Sequence, residues 1–131
     1  MSMSREALLH ELLTSAEIES WQANELKYFG PTTRAISFFN DITRESSLHL
    51  VSQLLHLEEE DGEAPVTLYL NTGGGSMIDG LAIYDTIVNL SCPVLIYVTG
   101  LCASAGLMVL CAGDCRIATE SSTFYYHEPV L

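Results

Sequence analysis

The stretch VTLYLNTGGGSMIDGLAIYDTIVNLSCPVLIYV, residues 66–98, decides the fold class. It opens on a β-branched and apolar run, 66–70, suited to a buried strand. Asn71-Thr72-Gly73-Gly74-Gly75-Ser76 then breaks the pattern and a helix is expected at once. Met77, Leu81, Tyr84 and Val88 recur there at offsets of four, three and four, one helical face. Pro93 follows its end, and 94–98 reads as the next strand. A strand, glycine turn, helix and strand in one run make a βαβ unit, which requires parallel strands and a right-handed crossover. The expected class is therefore α/β with a mostly parallel sheet.

The pattern repeats downstream. Strand 94–98 ends at Thr99-Gly100, Ser104 to Ala112 reads as a helix closed by Gly113 at its C′ position, and 116–118 and 123–126 are short strands ending at His127-Glu128-Pro129. Upstream, 36–40 reads as a strand and Thr43 as the cap of a helix through about Glu59. Leu48, Val51, Leu54 and Leu55 should share its buried face, with Leu57 near it. Glu58-Glu59-Glu60-Asp61 with Gly62 should form a solvated exit loop, because acidic groups oppose the dipole at a helix C-terminus. His49 and His56 are expected at the surface. Gly30-Pro31-Thr32-Thr33 marks a boundary between an N-terminal helical arm, 1–30, and a head domain, 31–131. In the arm, Leu8, Leu9, Leu12, Leu13, Ile18, Trp21 and Leu26 lie at helical spacing, and Thr14 with Glu17 forms a capping box that splits it in two.

Composition narrows the function classes. A chain of 131 residues with 48% hydrophobic side chains suits one globular domain. A net charge of −12 with five Lys and Arg in all points away from nucleic acid. No run reaches the ~18 apolar residues of a membrane helix, and no signal peptide opens the chain, so a soluble cytoplasmic protein is expected. Cys92, Cys102, Cys111 and Cys115 lack paired-thiol spacing. Cys111 and Cys115 could share a metal, but all four read as reduced core residues and no metal or cofactor is expected.

Three features meet where strands end and helices begin, the side of a parallel sheet where ligands bind. Gly73-Gly74-Gly75 allows close backbone approach and amides aimed at an anion. It is open to two simpler readings, a tight turn or a phosphate cradle, although the P-loop Lys-Ser/Thr is missing. Ser104, in Cys102-Ala103-Ser104-Ala105-Gly106, stands at a helix start, where free amides stabilise an oxyanion beside a nucleophile. It could equally serve as a helix cap. Cys102 occupies the first glycine position of the hydrolase elbow, so that motif does not fit. His127 is the residue type that takes a serine proton near neutral pH, or a structural histidine at a strand end.

At these residues the chain resembles the proteolytic subunit of the Clp protease family, ClpP, a serine peptidase of crotonase-like fold. The likeness spans roughly 36–131, through Leu68-Tyr69-Leu70-Asn71-Thr72-Gly73-Gly74-Gly75, Gly80-Leu81-Ala82-Ile83-Tyr84-Asp85-Thr86, Ala103-Ser104-Ala105-Gly106 and Tyr126-His127-Glu128-Pro129. It implies Ser104 as nucleophile, His127 as general base, and the backbone amides of Gly74 and Ala105 as oxyanion hole. It also implies stacked rings built of this chain or its paralogues, unfolded protein as substrate, and an AAA+ unfoldase ATPase as partner.

The departures carry expectations of their own. Gly73 replaces a usual proline, which should loosen the turn. Ala105 replaces a common Met, at a position whose role belongs to the backbone. The family's aspartate and ring-joining handle lie downstream of the histidine, so the sequence through Leu131 is expected to hold a head domain without them. Loss of a triad aspartate lowers turnover by roughly ten-thousand-fold in a serine protease. Two alternatives follow: a non-catalytic structural subunit of a ring, and a crotonase-fold enzyme that binds a thioester carbonyl through the two amides.

Overall fold

The computed structural model describes residues 34–127. The helical arm expected over 1–30, with its split at Thr14 and Glu17, lies outside them, as do Glu128 and Pro129. The described elements are β1 (Ala35–Phe38), α1 (Arg44–Glu60), β2 (Val66–Thr72), α2 (Met77–Asn89), β3 (Val94–Ala103), α3 (Ala105–Cys111), β4 (Cys115–Ala118) and β5 (Thr123–Tyr125). They form one five-stranded sheet in the order β1-β2-β3-β4, with β5 also on β3. Every strand pair is parallel. The α/β expectation and its βαβ unit are both met.

The register explains the core. Val94, Ile96 and Val98 of β3 alternate to one face, where they meet Val66, Leu68 and Leu70 of β2 and the buried sides of all three helices. Leu95 and Tyr97 point to the other face and join Cys115 and Ile117. Tyr69 packs there against Tyr97 with ring centroids 5.5 Å apart and the rings tilted at 45°.

Each long helix buries only part of the expected set: Leu54 of α1 is buried, and Val51 of α1 and Tyr84 of α2 pack against the core, but the other members are turned away from it. In α1 the buried residues are Ser47, Leu50, Leu54 and Leu57, while Leu48 and Leu55 are exposed. In α2 they are Asp79, Gly80, Ile83 and Ile87, while Met77, Leu81 and Val88 are about half exposed. Apolar residues lie on more than one side of each helix, so periodicity alone could not choose. Packing chose the side with small residues: Gly80 lets α2 approach so closely that a Cβ there would stand 3.3 Å from the Ala105 side chain.

Several boundaries also differ. The acidic run is not a loop, because α1 continues to Glu60. Its charges are used: the Glu58 carboxylate accepts from the Ser91 N–H at 2.7 Å, and Asp61 accepts from Glu63 and Ala64. The missing basic group at this helix end comes from Arg34, which is 4% exposed. Its guanidinium donates to the Leu57, Asp61, Ala64 and Pro65 carbonyls at 2.8–3.3 Å. β1 begins one residue early and stops at Phe38.

β3 does not stop at Thr99-Gly100 but runs on to Ala103. Gly100 takes a φ of 80°, and between Leu70 and Thr72 the β2–β3 register shifts. The strand thus absorbs a bulge rather than ending at its glycine. Asn71 secures it by accepting from the Leu101 N–H at 3.2 Å. The extension gives β3 room for β4 on 95–98 and for β5 on 101–103. Gly113 follows α3 without the positive φ expected of a C′ glycine; a Cβ there would stand 2.9 Å from Ile96 Cγ1.

Candidate active site

β2 and β3 run side by side, so the turn after β2 and the residues after β3 emerge together. Gly74 has a φ of 94°, and a Cβ on it would lie 2.7 Å from the Ser104 Cβ and 3.2 Å from the Ala105 N. Three of the four expected residues, Gly74, Ser104 and Ala105, are therefore neighbours. The turn is fixed from a third segment, just before α1. The Ile42 N–H donates to the Gly74 carbonyl at 2.8 Å, and the Ser76 N–H donates to the Ile42 carbonyl at 2.9 Å. The Ile42–Gly75 contact is a lone parallel bridge, so close that a Cβ on Gly75 would meet the Ile42 carbonyl oxygen at 2.3 Å.

Ser104 departs from an ordinary helix cap. Its φ of 54° and ψ of −123° make it the one non-glycine residue with positive φ among the described residues, and its side chain makes no capping hydrogen bond. Such a conformation costs on the order of 1–3 kcal/mol and persists only where the surroundings impose it. Here they do so from both sides. Ala103 is locked in β3 against Tyr125 of β5, and the Ser104 N–H donates to the Tyr125 carbonyl at 2.9 Å. Ser104 is partly exposed while Ala105 and Gly106 are buried.

His127 comes two residues after Tyr125, so the β3–β5 pairing carries it to the same end of the sheet. It is exposed, with its ring centred 5.9 Å from that of Tyr125. Ile42 and Thr72, which hold the glycine turn, were not read from the sequence as site residues. Ile42 acts through its backbone, which leaves no signature in side-chain type. A cleft of about 920 Å³ opens elsewhere, between β1 and α1, lined by Asn40, Asp41, Glu45 and His49 among others. His49 and His56 are exposed, as expected.

A family model described as Clp protease matches residues 24–131. The chain belongs to the Clp protease family. Among its relatives, the ATP-dependent Clp protease proteolytic subunit of Cyanophora paradoxa is 41% identical over 99 residues, covering 74% of this chain and 51% of that protein. The ATP-dependent Clp protease proteolytic subunit 1 of Synechococcus sp. (strain CC9902) is 38% identical over the same length, covering 74% of this chain and 50% of that protein. The solved structure of ClpP1 from Listeria monocytogenes superposes with a TM-score of 0.70 at 28% identity, over 73% of this chain and 57% of that one. This Clp protease chain thus spans about half the length of the curated relatives it matches.

The cysteines of the Clp protease chain divide three to one, which corrects their reading as a uniform core set. Cys92, Cys102 and Cys115 are buried and Cys111 is exposed. Burial, with a smaller contribution from Cys111, pushes the Cys102 thiol from 9.0 up to about 11. Burial also raises Cys92, against the opposing pull of the Arg34 guanidinium. At pH 8 iodoacetamide should therefore alkylate Cys111 first in the folded protein. Peptide mapping checks this; modification of Cys102 at a matching rate would contradict the burial.

Proposed function

We propose that this chain is the proteolytic subunit of an ATP-dependent Clp protease, with Ser104 as nucleophile and His127 as general base. The observation that carries the reading is the strained Ser104, set against Gly74 and the first amide of α3. In this mechanism Ser104 Oγ attacks the carbonyl carbon of a peptide bond while His127 takes the hydroxyl proton. The oxygen that gains negative charge turns toward the Gly74 and Ala105 amides. His127 then returns the proton to the leaving amine, the C–N bond breaks, and water hydrolyses the acyl-serine by the same route.

Function as a subunit fits the surface. Met77, Ile78 and Leu81 at the start of α2, and Phe124, Tyr125 and Tyr126 at the end of the sheet, leave large apolar side chains exposed. Surfaces of this kind are commonly covered in an assembly. On this reading the chain associates with copies of itself or with paralogues, in the cytoplasm, and receives unfolded protein from an AAA+ ATPase.

A fluorophosphonate probe tests the nucleophile directly, because it captures an activated serine without needing peptide turnover. Mass spectrometry should place one adduct on Ser104, none in Ser104→Ala, and a slower reaction in His127→Ala. An adduct elsewhere, or equal reaction of the His127 variant, would sink the assignment.

A further inference from the structure

We infer that the N-terminal arm, residues 1–30, packs on the second face of the sheet, the side opposite the three helices. Val94, Ile96 and Val98 meet those helices on the first face. Leu95, Cys115 and Ile117, with Tyr97 against them, form a separate cluster on the second. All four belong to β3 and β4, and no residue of a described helix joins them. Yet Leu95 is 0%, Ile117 2% and Cys115 3% exposed. Side chains on an open sheet face stand in solvent, and parallel sheets are built with both faces covered. The cover therefore comes from outside residues 34–127.

Residues 128–131 are too few to supply it. β3 is ten residues long, so its ends lie roughly 30 Å apart. Leu95 and its partner Cys115 stand near one end, while β5, which leads to His127, pairs at the other. Residues 128–131, fully extended, reach at most ~14 Å. The arm joins at the opposite side, directly before the edge strand β1. From β1 across to β4 is ~14 Å at ordinary strand spacing, well within reach of residues 1–30.

The chemistry of arm and face agrees. Leu8, Leu12, Ile18 and Trp21 recur at helical spacing and give the arm an apolar stripe. On the face, Thr67 of β2 pairs in register with Leu95 and is fully buried. Its hydroxyl has no hydrogen-bond partner among the described residues. Water or a polar partner surface would answer that hydroxyl; a carpet of leucine side chains does not. The arm is thus a built-in cover, and a second chain that uses this face must first displace it.

The cysteines report the contact in the intact chain, because Cys115 lies on the second face while Cys92 and Cys102 lie on the first. Iodoacetamide mapping at about pH 8 compares wild type with Leu12→Asp and Trp21→Ala. In wild type Cys115 should stay protected at every protein concentration. In Leu12→Asp it should react about tenfold to hundredfold faster, the scale of exposing one buried leucine side chain, with Cys92 and Cys102 unchanged. If Leu12→Asp opens all three cysteines by unfolding, Trp21→Ala, which only removes volume, should open Cys115 alone. Equal Cys115 rates in wild type and both variants overturn the contact. Protection of wild-type Cys115 that is lost on dilution assigns the cover to a second copy and overturns it as well.

Discussion

Gly74→Ala is expected to lower fluorophosphonate capture at Ser104 by about 100- to 1,000-fold, the scale of losing one oxyanion donor. Two effects act together. A φ of 94° is poorly tolerated by alanine, and the added Cβ would lie 2.7 Å from both the Ala103 carbonyl oxygen and the Ser104 Cβ. Neither neighbour can yield cheaply, since Ala103 is locked in β3 and Ser104 is already strained. The turn must swing away from β3 and take its amide with it. Gly73→Ala is the matched control: its Cβ would meet only Asp41 Oδ1, at 3.8 Å, so capture should stay within about twofold of wild type, as for an ordinary surface substitution. Capture rates and thermal midpoints measured on both variants decide the matter. Wild-type capture by Gly74→Ala would remove this amide from the mechanism.

Arg34→Met is expected to cost about 2–4 kcal/mol of stability, read as a lower urea midpoint with an unchanged slope. The guanidinium answers the carbonyls of Leu57, Asp61, Ala64 and Pro65, which belong to the last turn of α1 and the segment leading into β2. Methionine fills the volume and leaves those acceptors without their donor in a buried site. The loss of a desolvated charge offsets part of the penalty, which keeps the estimate moderate. Arg34→Lys should recover only a fraction, because an ammonium cannot reach four carbonyls with the spread of a planar fork. Full stability in Arg34→Met would mean that the α1 end is held by Glu58 and Ser91 instead.

Much of the architecture was legible because strand residues 66–70 and 94–98 are apolar on both faces and flank a glycine turn. A parallel sheet is what such runs form. The helical faces were only partly legible for a physical reason: α1 and α2 carry apolar residues on more than one side, and Ser47 and Gly80, which are small rather than greasy, mark the sides that pack. The length of β3 was hidden by Gly100, since a glycine that ends a strand and one that bulges it look alike in sequence. At the site, residue types brought the Gly73-Gly74-Gly75 turn and Ser104 into view, and the family resemblance singled out Gly74 and Ala105. The restraints on them were not visible, because Ile42 works through backbone atoms and Thr72 looks like any strand threonine. Arg34 read as one of five scattered cations, and only the geometry of the α1 end shows what it does.

β3 touches three other strands and ends one residue before Ser104. Because every pairing is parallel, no two of these strands can zip together through a short hairpin; each must close across an intervening connection. Contacts so distant along the chain form late and slowly. The backbone angles of Ser104 are tolerable only after β2 brings Gly74 alongside and β5 supplies the Tyr125 carbonyl. The geometry of the serine therefore depends on two pairings at once, that of β2 and that of β5 with β3.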